Sequence, residues 1–187
     1  MAGHGHVEHS GENKRVALLI AVLALCLAIA ETGAKSAQTE ALSRNVEASN
    51  LWAFFQARTI RQTTVRTAAE NLALAPESED EARRAATARQ IQAWMSTAQR
   101  WDSEPSTGEG RKELAERARA AERIRDRSMA AYHMHEYGSA AFQVAIVVAS
   151  ASIVTGVPLL AVGGAVLGLV GVALAGLGFF APELIHF

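Results

Sequence analysis

Charged positions are distributed very unevenly along this chain. The stretch Tyr137–Pro182 contains no Lys, Arg, Asp, Glu or His. As one helix it would measure roughly 70 Å, more than twice the hydrocarbon core of a bilayer. Gly156 and Pro158 lie near its middle, where they can interrupt a helix. The pattern therefore predicts two membrane-spanning helices, over residues 139–157 and 161–180.

A second apolar segment lies near the N-terminus and begins at Val16. It follows Lys14 and Arg15, as the core of a signal peptide would, but it continues without a break into helix-forming sequence. We therefore expect an uncleaved transmembrane helix over residues 16–36. The two basic residues before it favour a cytoplasmic N-terminus. Basic residues on the far side of the span favour the opposite orientation. The sequence therefore favours a cytoplasmic N-terminus only narrowly.

The residues between the first two spans have a helical composition. No Pro or Gly occurs between Ala37 and Leu74. Pro76 and a following acidic run predict a break and then a helix over about 78–102. A turn-rich segment follows, and a third helix should begin near Arg111 and continue into the second span. We expect residues 37–138 to form a coiled-coil-like helical domain, either a long stalk kinked on its return or a compact three-helix bundle.

The whole chain is therefore predicted to be an all-α membrane protein with three transmembrane helices. Residues 1–15 form a His-rich tail that we expect to be disordered, and residues 181–187 form a short C-terminal tail. In the helical domain, two clusters of apolar side chains should pack on each other: Leu51, Trp52, Phe54 and Phe55 on the outgoing helix, and Ile91, Trp94, Ala98 and Trp101 on the returning one.

Small residues recur at helical spacing in all three predicted spans. In lipid, such a face lets helix backbones approach closely and drives their association. Three helices in one chain offer few packing seams, so we expect some of these faces to contact other copies in a homo-oligomer. The residues are Ala21, Ala24 and Ala28 in the first span, Ala145, Ala149, Ser152 and Gly156 in the second, and Gly164, Gly168, Gly171, Ala175 and Gly178 in the third.

Two polar residues within the predicted spans suggest chemistry. Glu31 continues the alanine face of the first span, and an acid in a membrane is costly enough to suggest a role. The position of Glu31 near the end of the span favours an i,i+4 ion pair with Lys35. The alternative hypothesis is that Glu31 and Gln143 line a path for ions or protons. For Gln143, a hydrogen bond between helices is the simpler interpretation.

The histidines form two groups. His4, His6 and His9 lie in the tail, where an Ala-Gly-His terminus left by removal of Met1 would suit Cu(II) or Ni(II). A tail without a metal role is the simpler interpretation, and no other cofactor is indicated. His133 and His135 lie beside tyrosines just before the second span, which is typical of an interfacial aromatic belt.

Composition excludes several other functions. The net charge is −1, so no basic field suggests a nucleic-acid partner. The sequence contains no phosphate-binding loop, zinc-ligand spacing, Ser/His/Asp arrangement or paired catalytic carboxylates. We therefore expect a protein that is not an enzyme. Its partners are the lipid bilayer and further copies of itself, and the sequence identifies no other protein partner.

Nearly the whole chain resembles a known family, and one segment is the most distinctive part of the resemblance. KSAQTEALSRNVEASNLWAFFQARTIRQTTVRTAAE, residues 35–70, joined to the preceding span, is similar to bacterial membrane proteins that share a domain of unknown function. The resemblance implies an inner-membrane protein with three spans and a helical insert, and it implies no reaction. Our leading hypothesis is an oligomeric scaffold or interaction protein. The alternatives are a channel or transport component lined by Glu31 and Gln143, and a metal-responsive protein that uses the tail.

Overall fold

A computed structural model describes the backbone of residues 5–184 and the side chains of residues 13–184. Over these residues the chain forms four α-helices and one short 3-10 helix, which confirms the predicted all-α class. Three of the helices are long and apolar enough to cross a membrane. The elements are α1 (Gly5–Ala73), α2 (Glu81–Asp102), α3 (Arg111–Thr155), α4 (Pro158–Phe180) and the 3-10 helix Pro182–Leu184.

Helix α1 begins at Gly5, within the segment expected to form the tail, and ends at Ala73. It runs this far because no Gly or Pro follows Gly33 until Pro76. The side chains of residues 1–12 lie outside the described residues. The metal hypothesis for the tail histidines therefore stays a prediction.

Local sequence explains the ends of the other helices. Asp80 caps α2, because its Oδ1 accepts a hydrogen bond of 2.9 Å from the backbone N–H of Ala82. The helix therefore starts at Glu81, slightly later than predicted. Between α3 and α4, Gly156 adopts a positive φ of 68° and Pro158 occupies the first turn of α4. This short turn makes α3 end at Thr155 and α4 begin before residue 161.

The helices form two compact units. Unit 1 comprises Met1–Leu42 and Arg125–Phe187, and unit 2 comprises Ser43–Ile124. In unit 1, α3 and α4 run antiparallel, while the first part of α1 runs parallel to α4. The directions follow from the order of the contacts. Gly164, Gly171 and Gly178 of α4 face residues of α3 whose numbers decrease from 145 to 135. The core of unit 1 contains Leu23, Ala30, Phe142, Ala145 and Ala175.

In unit 2, the returning helices run antiparallel to α1. Trp52 Nε1 donates to Glu122 on α3, and Gln62 Nε2 donates to the carbonyl of Ala98 on α2. Thus α3 lies beside the earlier part of this α1 segment and α2 beside the later part. The core contains Leu51, Leu114 and Ala118 with Trp52, Phe54 and Phe55 packed against it.

The aromatic cluster of α1 packs on α3, a partner that the sequence did not predict. Its predicted pairing with the apolar face of α2 stays a prediction. Arg58 lies between the two clusters, with its guanidinium 5.3 Å from the Phe54 ring centroid and 5.9 Å from that of Trp101. The Arg58 guanidinium thus contacts one aromatic ring of each group.

Candidate functional site

The glycine face of α4 is buried in the centre of unit 1. A Cβ added at Gly164 would lie 2.9 Å from the carbonyl oxygen of Ala145, and one at Gly171 would lie 2.8 Å from the Phe142 ring. Neither position can therefore hold a side chain unless α3 or the Phe142 ring moves. The absence of side chains brings the two backbones together, as in membrane helix pairs. The buried residues of α4 are Gly164, Gly168, Gly171, Ala175 and Gly178.

In the half of this contact nearer the turn, the facing residues of α3 are also small. Ala145 and Ala149 are completely buried, and Ser152 is nearly so. Gly156 differs from the others, because it is exposed in the turn and an added Cβ there would meet nothing within 4 Å. It therefore takes no part in the packing of α3 on α4, and its predicted place in an oligomer interface stays a prediction. The glycine instead supplies the positive φ that the turn requires.

The alanine face of α1 is not covered by the described chain. Ala21, Ala24 and Ala28 are exposed, whereas Leu23 and Ala30 supply the contacts that α1 makes in the core. A helix that is apolar all round can present either side to a partner, so spacing alone did not distinguish the two faces. The alanine face remains available to a second molecule.

Glu31 and Gln143 meet at the surface of unit 1. The Gln143 Nε2 donates to Glu31 Oε1 at 3.5 Å, and both residues are exposed. The carboxylate therefore contacts the amide of α3, rather than forming the expected ion pair with Lys35. The two residues proposed from sequence as an ion path are thus neighbours in space, 112 positions apart in the chain.

His135 is a candidate site residue that the sequence did not indicate. It is only 2% exposed, so it does not belong to an interfacial belt. Its ring lies between Gly33 of α1 and Gly178 of α4, where an added Cβ at either glycine would lie 2.9 Å from the ring. The ring of Phe179 packs edge-on at 4.3 Å. Among the described residues, His135 Nδ1 has no hydrogen-bond partner.

A polar network centred on Arg111 joins the helices of unit 2. The Arg111 Nη1 donates to Gln62 Oε1 at 2.6 Å and to Asp102 Oδ1 at 3.3 Å, while Nε donates to Thr59 Oγ1 at 3.0 Å. The guanidinium also lies 5.2 Å from the Phe55 ring centroid. The network satisfies the buried Gln62 amide, so its role is to hold α1, α2 and α3 together.

Two carboxylates brace the turn between α2 and α3. Glu113 accepts hydrogen bonds from the Ser103 hydroxyl at 2.6 Å and from the backbone N–H of Glu104 at 3.1 Å. These bonds favour the ionised form and lower the pKa of Glu113 from its ordinary value of 4.5. A hydrogen bond from Lys112, whose Nζ lies 3.0 Å from the carboxylate, similarly lowers the pKa of Asp102 from 3.8.

We expect this turn to lose stability in acid. Because the pKa of Glu113 is lower in the folded chain, the unfolded chain binds more protons in that range, and stability rises with pH. The contribution is complete above about pH 4.5 and is lost as the pH falls through the lower folded-state value. Hydrogen exchange of the turn amides between about pH 3 and pH 7 measures it. Glu113→Gln should flatten this dependence, and an unchanged profile would contradict the assignment.

Among the described side chains, no group of three or more His, Cys, Asp or Glu residues is placed to hold a metal ion. A family model described as "Domain of unknown function (DUF4337)" matches residues 12–181. Neither the curated proteins nor the solved structures contain a match to this chain.

Proposed function

We propose that this chain, which belongs to the DUF4337 family, is an integral protein of the bacterial inner membrane that acts as an oligomeric scaffold. One observation supports membrane insertion above all others. Of the most apolar windows of α1, α3 and α4, only 17%, 33% and 22% are buried inside the protein. Apolar surface of this extent would be unstable in water and is the surface that a bilayer covers.

The three spans are residues 16–36 of α1, the part of α3 after residue 138, and α4. The N-terminus lies in the cytoplasm, with unit 2 on the opposite side of the membrane. The protein should remain in the membrane fraction after washing with alkaline carbonate and should need detergent for extraction. A purified chain that stays dissolved in plain buffer would contradict membrane insertion.

The uncovered alanine face of α1 supports self-association. Because Ala21, Ala24 and Ala28 leave space for a close backbone approach, a second copy can pack there through van der Waals contact. Unit 2 has a polar, helical surface and would serve as the platform on which other proteins assemble. No catalytic role is proposed for either unit.

We expect Ala24→Leu to weaken self-association about tenfold or more, because a larger side chain separates the packed backbones. Ala173→Leu is the matched control, since Ala173 is also exposed but belongs to α4 and not to the alanine face of α1. Native mass spectrometry in mild detergent measures the fraction of oligomer for each variant. A strictly monomeric parent protein, or equal weakening by both variants, would contradict the proposed interface.

The Glu31–Gln143 contact supports a second function, that of a channel or transport component. An acidic group facing lipid costs about 2.5–3.5 kcal/mol at the bilayer centre and less near the ends of a span. An exposed acid and amide on apolar helices would avoid that cost if they lined a water-filled path between copies. This path would continue the alanine face of α1.

Ion flux into vesicles that contain the purified protein tests the second function. If the pair lines the path, Glu31→Gln should reduce cation flux about tenfold or more, because it removes the charge, and Gln143→Leu should reduce it further by removing the polar surface. Thr64→Val is a control far from the predicted spans. Flux that is absent, or that is indifferent to the two substitutions, would exclude the path.

A further inference from the structure

A groove opens in unit 1 where its apolar part ends. The groove has a volume of about 730 Å³. It is lined by α1 just after the first apolar segment, by α3 just before the charge-free stretch, and by the C-terminal end of α4. On the proposed membrane arrangement, this is the level of the lipid headgroups. Any ligand of the groove would therefore meet both an apolar and an aqueous environment.

The charged lining of the groove favours an anion. Lys35 on α1 and Arg127 on α3 are both exposed and contribute two positive charges. Glu40 is the one acidic residue in the lining, and it already has an interaction partner. The hydroxyl groups of Ser36 and Ser128 add donors beside the cations. Paired cations with neighbouring hydroxyls are the donor set that binds phosphate oxygens.

A second observation at this groove is the unpartnered nitrogen of His135. His135 lines this groove, is only 2% exposed, and has an Nδ1 atom without a hydrogen-bond partner among the described residues. Each imidazole nitrogen either donates or accepts, and buried polar atoms in folded proteins are generally paired. A bound group that reaches this ring would supply the missing partner.

We propose that this groove binds a phosphate group, namely that of an anionic phospholipid headgroup, and the proposal rests on the membrane insertion argued above. The phosphate lies between Lys35 and Arg127, and a polar atom of the headgroup pairs with His135. The exposed ring of Phe179, also in the lining, packs against the apolar part of the lipid. The C-terminal end of α4 disfavours an anion, so the phosphate lies on the side of α1 and α3.

Binding of short-chain phosphatidylglycerol to the full chain in neutral detergent tests the site. Each cation near a membrane surface contributes about a factor of five, so Lys35→Gln with Arg127→Gln should weaken binding about twenty-fivefold. The control is Lys14→Gln with Arg15→Gln, which removes two exposed cations from the other end of the first span. His135→Phe keeps a ring between the two glycines and should weaken binding about fivefold.

Equal binding of phosphatidylglycerol by the parent protein, the Lys35/Arg127 variant and the control would overturn the proposal. Inorganic phosphate serves as a competitor, and it distinguishes a lipid headgroup from a soluble phosphate as the source of the bound phosphate group. If only other anionic lipids displace the phosphatidylglycerol, the ligand is a lipid headgroup, as proposed. If equimolar inorganic phosphate displaces it, the lipid proposal is overturned and the ligand is a soluble phosphate. If the protein proves soluble without detergent, membrane insertion fails, and the phosphate titration of the same variants in buffer still tests the groove.

Discussion

Replacing Gly164 with alanine will destabilise the pairing of α3 and α4. The new methyl group would lie 2.9 Å from the carbonyl oxygen of Ala145 and 3.0 Å from the Cβ of Ala149. Both contacts are with backbone or Cβ atoms, which cannot swing aside as a long side chain would. The helices must separate, at a cost of about 1–3 kcal/mol, although alanine itself is the better helix former. Thermal unfolding in detergent measures the loss.

Gly176→Ala provides the matched control on the same helix. An added Cβ at Gly176 meets nothing within 4 Å, so the substitution removes the flexibility of glycine without a clash. We expect it to leave stability unchanged or to raise it by up to about 1 kcal/mol. If the two variants unfold at the same temperature, the close approach of α3 and α4 is not what stabilises unit 1.

Removal of the Arg111 guanidinium will have a comparable effect in unit 2. In Arg111→Met the aliphatic part of the side chain is retained, but the bonds to Gln62, Thr59 and Asp102 are lost. The Gln62 side chain is buried, so its Oε1 would be left without its charged donor. We expect a loss of about 2–3 kcal/mol, seen as faster hydrogen exchange in α2 and in the part of α3 within unit 2.

Arg119→Met on α3 is the corresponding control, because Arg119 is exposed. Loss of an exposed arginine changes stability by less than about 0.5 kcal/mol. The full chain is used for both variants, and amides of α4 report whether unit 1 is affected as well. Equal exchange rates in the Arg111 and Arg119 variants would show that the network does not hold unit 2 together.

Much of the fold was predictable because it depends on local sequence. Pro76, the turn-rich segment before Arg111 and the Gly156–Pro158 sequence each interrupt a helix for reasons that operate within a few residues. The glycine face of α4 was also recognisable, since spacing alone defines one side of a helix. The exact starts of α2 and α4 differed because a side-chain cap and a proline decide them.

The candidate sites were less predictable because they depend on residues that are distant in the chain. His135 is buried because Gly33 and Gly178 leave room for its ring. Both glycines are far from His135 in the sequence, so its neighbouring residues did not predict this burial. The contact of Glu31 with Gln143 likewise depends on how α1 packs against α3. In the sequence, only the glycines near the ends of two predicted spans indicated that a large side chain could pack between those helix ends.

The packing of α4 also determines which sequence changes this helix can accept. Its buried residues carry nothing larger than a methyl group, while Leu169, Val172 and Phe180 face outward. Aliphatic residues can replace one another on the outward side as lineages diverge, because these side chains are exposed and pack little against the described chain. The inward face does not tolerate larger side chains. Sequence variation in such a helix is therefore expected on its outward face only.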